Sequence, residues 1–140
     1  MELEDIFLAR YAEIAPDGLF TAVGGGMNRI SVHRFPWTLG FLFLVARYRL
    51  SSAETKCQHV MAVDREIPNG QTEPVGAEFP MIPLIPNTPP GPDGNFVFSL
   101  SYLLANLVFP EGGVYKYRLK IDGQKIGETL LLVAGPTQQG

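Results

Sequence analysis

Val114-Tyr115-Lys116-Tyr117-Arg118-Leu119-Lys120-Ile121, then Asp122-Gly123, then Gln124-Lys125-Ile126-Gly127-Glu128-Thr129-Leu130-Leu131-Leu132 is the stretch that decides the fold class. Tyr115, Tyr117, Leu119 and Ile121 alternate with Val114, Lys116, Arg118 and Lys120, the period of two that marks a strand with one buried face. Ile126, Glu128, Leu130 and Leu132 alternate with Lys125, Gly127, Thr129 and Leu131 in the same manner. Asp-Gly between them supplies the positive φ angles of a type I′ turn, which predicts a hairpin.

Working outward, the same punctuation recurs at Asp17-Gly18, Asn69-Gly70 and Asp93-Gly94. Between these turns, extended segments are expected near Ile6–Ile14, Leu19–Val23, Asn28–Phe35, Leu39–Leu50, Gln58–Arg65 and Asn95–Leu100. Tyr102–Phe109 (YLLANLVF) fits a buried strand or a short piece of helix, and strand is favoured. From Glu73 to Asp93 the chain carries Pro74, Pro80, Pro83, Pro86, Pro89, Pro90 and Pro92. Proline donates nothing to a sheet ladder, so an edge segment followed by a long proline-rich loop, about residues 74–94, is expected there. Short strands, frequent turns and the lack of βαβ alternation predict an all-β chain, a two-sheet antiparallel β-sandwich. A small barrel is the alternative.

The 140 residues fit one domain spanning 1–140. Glycine and proline, 15 and 12 residues, favour turns over long helices. A net charge of −3 argues against a general nucleic-acid binder. The acidic start Met1-Glu2-Leu3-Glu4-Asp5 does not read as a secretory signal, and the apolar run Leu39–Ala46 is less than half the roughly 20 residues of a membrane-spanning helix. A lone cysteine, Cys57, rules out an internal disulfide and fits a reducing compartment, so the cytoplasm is expected.

The run Glu111-Gly112-Gly113-Val114-Tyr115-Lys116-Tyr117 resembles the corner before a late strand of immunoglobulin-like domains, with Tyr117 where a cysteine would stand. Together with Tyr11-Ala12-Glu13, Asp17-Gly18-Leu19, Gly24-Gly25-Gly26-Met27-Asn28-Arg29-Ile30, Phe109-Pro110-Glu111 and Ile121-Asp122-Gly123, it looks like a family of uncharacterised bacterial β-sandwich domains. That resemblance implies an immunoglobulin-like fold. It carries no activity and no catalytic residue.

Candidate chemistry is sparse. Gly24-Gly25-Gly26 has the composition of a phosphate cradle, but residues 28–34 just after it read as a strand rather than a helix, so a turn needing positive φ is the better account. Cys57 and His59 at two-residue spacing suit a thiolate with its base or two metal ligands, yet nothing nearby completes either set. Asp17, Asp64, Glu66, Asp93 and Asp122 raise calcium, while three of them precede glycine as plain turns require. No catalytic, metal or cofactor-binding residue is therefore assigned, and no enzyme is expected.

Two surfaces carry more weight. Arg47, Arg49, Lys116, Arg118 and Lys120 form a basic stripe if their strands are neighbours. On Leu39–Leu50 both parities are apolar: Phe41, Phe43 and Val45 on one side, Leu42, Leu44 and Ala46 on the other. An open sandwich strand shows one greasy face, so something must cover the second, with Phe35 and Trp37 nearby. The candidate covers are the proline-rich segment, through residues such as Met81 and Ile82, or another copy of the chain. The expected function is thus a non-enzymatic interaction or assembly module with a protein partner or itself. The alternative is a domain that binds a small molecule or carbohydrate against Phe35, Trp37 and the proline-rich loop.

Overall fold

The computed structural model describes residues 1–15, 19–81 and 90–136, and among these it is all-β with one short 3-10 turn, Glu54–Lys56. The strands are β1 (Glu2–Ala9), β2 (Tyr11–Ile14), β3 (Phe20–Val23), β4 (Arg29–Ser31), β5 (Trp37–Leu50), β6 (His59–Glu66), β7 (Thr72–Pro74), β8 (Phe79–Met81), β9 (Phe96–Phe109), β10 (Gly113–Ile121) and β11 (Gln124–Ala134). They form a three-stranded sheet in the order β1-β5-β9, a six-stranded sheet in the order β4-β11-β10-β6-β7 with β8 also on β6, and the β2-β3 pair. All pairings are antiparallel except β4 with β11, which makes the six-stranded sheet mixed.

The β10–β11 hairpin forms as its alternation predicts. Asp122 and Gly123 take φ values of 52° and 80°, the pair of positive angles that a primed turn needs. Tyr115, Tyr117, Leu119 and Ile121 are buried. A register shift at Leu119/Lys120 then decides which parity of β11 turns inward: Leu131 and Val133 are buried, whereas Leu130 and Leu132 are exposed.

Opposite this hairpin lie β5 and β9, paired along their whole length. Leu42, Leu44, Ala46, Tyr48 and Leu50 of β5 join Tyr115, Tyr117 and Leu119 of β10 in one core, so the two larger sheets share a single apolar interior. The segments expected at Asn95–Leu100 and Tyr102–Phe109 are one continuous strand, β9. Within it Asn106 takes φ 52°, and the buried positions change from Leu104 to Leu107 and Phe109. Across the ladder, Leu39 and Trp37 of β5 likewise pack toward the core while Phe41 faces out. The paired strands re-aim together near Gly40, and part of the two-faced apolar pattern of β5 comes from this change of parity.

Several expectations need correction. Ile6–Ile14 is two strands broken at Arg10, because β1 pairs with β5 while β2 leaves to pair with β3. Asn28–Phe35 shrinks to Arg29–Ser31, since the chain bends over residues 33–36 and Pro36 has no N–H for a ladder. Part of the second apolar face of β5 has a cover that the sequence did not suggest. Val45 is buried with Ala9 and Ala12, and Phe7, Phe20, Ala22 and Phe43 pack around them, so the β2-β3 pair lies over that face. Residues 72–81 supply the short strands β7 and β8, both on β6. The Asp17-Gly18 turn and residues 82–89 of the expected loop, Ile82 included, lie outside the described residues. Among the described residues no helix is long and apolar enough to cross a membrane.

Candidate functional site

The parity change at Gly40 and the turn between β3 and β4 together open a cleft of about 690 Å³. Gly24 and Gly26 take φ values of 64° and 78°, so the turn reverses where a residue with a Cβ would be strained. One wall is apolar and comes from β5, with Trp37, Leu39 and Phe41; Met27 and Ile30 face it from the other side. His33 packs edge-on to Trp37 with ring centroids 6.0 Å apart.

Two cations line the same cleft, Arg10 at the break between β1 and β2 and Arg29 at the start of β4. The Arg10 stem lies along the glycine turn: a Cβ at Gly24 would sit 3.0 Å from its Cγ. Arg47, Arg49, Arg65 and Arg118 each face a carboxylate. Arg10 and Arg29 have no hydrogen-bonding or ion-pair partner for their side chains among the described residues.

Two other polar clusters are structural. Arg65, buried in the shared interior, donates from Nη2 to the Val108 carbonyl and from Nε to Glu73, and its guanidinium lies 5.5 and 5.3 Å from the ring centres of Phe109 and Tyr115. It ties β6, β7, β9 and β10 together. His59 sets Nδ1 2.7 Å from an Asp122 carboxylate oxygen and Nε2 2.8 Å from the Glu54 carbonyl. The hydrogen bond to Asp122 raises the His59 pKa above the ordinary imidazole value against the opposing effect of burial, and the same bond holds Asp122 below the usual carboxylate range. As an imidazolium, His59 donates to both acceptors at once.

Over residues 4–134 the chain matches a family of unknown function, DUF6941. It belongs to that family. No curated protein and no solved structure matches this DUF6941 chain.

The residues singled out from the sequence fall in different places. Trp37 and Phe41 meet in the cleft, whereas Phe43 is half-buried beneath the β2-β3 pair with Tyr11 5.4 Å from its ring. The Phe35 ring fills the space beside Gly112 and Gly135, and a Cβ at Gly135 would collide with it. Met81 stands on β8, opposite His59 in the other large sheet. The five basic residues do not make one stripe, because β5 and β10 belong to different sheets. Arg47 and Arg49 face Glu4, the former at 3.1 Å without hydrogen-bond geometry. Lys116 and Arg118 face Glu66, and Lys120 faces Asp64 at 2.7 Å.

Cys57 is exposed on a bend before β6 rather than on a strand face with His59. Asp64, Glu66, Asp93 and Asp122 are each taken up by a different basic partner, and no group of three His, Cys, Asp or Glu among the described residues could hold a metal ion. Sequence reasoning missed Arg10 and Arg29 as site residues. Their signal was present only in part: each stands next to a strand end and beside the glycine turn, but nothing in one dimension brings them together with Trp37.

Proposed function

We propose that this DUF6941 chain is a non-enzymatic binding module of the bacterial cytoplasm, folded as one immunoglobulin-like β-sandwich domain, and that it holds a small molecule in the cleft between the Gly24–Gly26 turn and β5. The single observation that carries the ligand reading is the cleft itself: about 690 Å³, walled by Trp37, Leu39 and Phe41, with polar groups at its rim. Pockets of 300–1,000 Å³ with mainly apolar walls and a few placed polar groups are the usual form of a small-molecule site. The covering of Val45 and Phe43 by β2-β3 removes the main reason for requiring a second copy. The immunoglobulin-like reading is supported by the shared core and by Tyr115, whose hydroxyl donates to the Glu111 carbonyl at 2.6 Å across the corner before β10. One exposed cysteine suits a reducing compartment.

The test is a thermal-shift panel of small molecules on the parent and on Gly40→Phe. Gly40 lines the cleft, and a Cβ there meets nothing within 4 Å, so a bulky side chain can be started at the cleft without its Cβ striking packed atoms. Ligands that stabilise the parent and not Gly40→Phe support the reading; equal shifts in both sink it. A second reading, assembly through the outer face, is favoured by Phe41 and Leu103, which stay 58% and 49% exposed beyond the edge of the β2-β3 cover. Light scattering at twice 15.4 kDa that reverts to 15.4 kDa in Phe41→Glu would support it.

A further inference from the structure

We infer that the cleft takes a small amphiphilic anion, its apolar body against Trp37 and Phe41 and its carboxylate or phosphate group met by Arg10 and Arg29. This rests on the cleft being a ligand site and adds the ligand's charge. The chain carries a net charge of −3, yet among the described residues no acidic one lines the cleft. The arginines elsewhere in the sheets are neutralised by Glu4, Glu66, Glu73 or Glu128, while these two have no such neighbour among the described residues.

The hydrogen-bonding inventory points the same way. Guanidinium groups and the indole N–H donate and do not accept, and among the described residues of the lining the Ser31 hydroxyl is the one side-chain oxygen. A sugar presents donors as well as acceptors, and side chains here offer its hydroxyl hydrogens few acceptors. A carboxylate or phosphate only accepts, and two guanidinium forks match its geometry. Position is built in as well. Because Gly24 carries no Cβ, the Arg10 stem rests directly on the turn that lines the cleft.

Trp37 is the chain's only tryptophan, so its fluorescence reports the cleft directly. The experiment titrates octanoate, octyl phosphate and 1-octanol, which share one tail, into the parent, Arg10→Gln, Arg29→Gln and Gly40→Phe, each checked for an unchanged circular-dichroism spectrum. Octanoate or octyl phosphate should shift the emission saturably, and the better of the two names the head group. Octanol should bind about tenfold more weakly or worse, and each arginine variant should lose about tenfold for the anions and nothing for octanol. Added salt should weaken the anions alone. Octanol binding as tightly as the anions, or arginine variants that match the parent, overturns the assignment of charge while leaving the cleft as a ligand site. No saturable change with any of the three overturns the inference, and the ligand reading falls with it if Gly40→Phe is also silent in the wider panel.

Discussion

Replacing Arg65 by methionine keeps a stem of similar length in the shared interior and removes the guanidinium that joins four strands. What is lost can be apportioned from the contacts. Glu73 is nearly half exposed, so water replaces its partner and the ion pair contributes about 0–1 kcal/mol. The part-buried Val108 carbonyl loses a charged donor, at about 1–3 kcal/mol. Two ring faces, Phe109 and Tyr115, lose a cation at 5.5 and 5.3 Å, about 0.5–1 kcal/mol each. Together these give about 2–6 kcal/mol, which brackets the roughly 3–5 kcal/mol seen when one partner of a buried ion pair is removed. For a chain of this size each kcal/mol moves Tm by about 3–4 °C, so Arg65→Met should melt about 6–24 °C below the parent. Thermal unfolding followed by circular dichroism at neutral pH measures this, with Glu73→Gln as the comparison, expected within about 3 °C of the parent. A methionine variant that melts with the parent, or a Glu73→Gln that loses as much, would refute the assignment of the stability to the carbonyl and the rings.

Three further outcomes are expected. Tyr115→Phe removes one hydroxyl donating to Glu111 and keeps the edge-on ring contact with Phe109, so it should cost about 1–2 kcal/mol in urea unfolding with an unchanged m-value; a cost near zero contradicts the corner as a stabilising device. His59, with its raised pKa, adds stability that is complete below about pH 6.5 and lost as pH rises through the raised value, while Asp122, lowered, adds stability that is lost as pH falls through its lowered value. The Tm gap between parent and His59→Gln should therefore narrow from about pH 6 toward pH 9, and a constant gap argues against the pairing. Ala12→Glu places a carboxylate beneath the β2-β3 pair beside Val45, and should speed hydrogen exchange across residues 20–23 far more than across the β10 core; unaltered protection at 20–23 would show that this pair is not held by that contact.

Legibility followed the range of the forces involved. The β10–β11 hairpin was readable because its alternation and its Asp-Gly turn are local, and both point to one structure. Tyr102–Phe109 was ambiguous because an apolar run has no period; its partner β5, some sixty residues earlier, settles it as a strand. The cover over Val45 was missed because Tyr11–Ile14 and Phe20–Val23 read as ordinary strands, and nothing local distinguishes joining a large sheet from lying across one. The basic stripe failed for a related reason: alternation tells which side chains share a strand face, while sheet order is set by pairings far apart in sequence. In the candidate site, Trp37 and Phe41 were visible as surplus aromatics. Arg10 and Arg29 became meaningful only when the parity change at Gly40 and the glycine turn set them around one space.

The parallel contact of β4 with β11 has a kinetic consequence. Arg29 pairs with Leu132, about a hundred positions later, so on the ribosome the earlier strand emerges long before its neighbour exists. Closing so wide a loop comes late on any route, and a nascent chain must carry that bare backbone through most of its own synthesis.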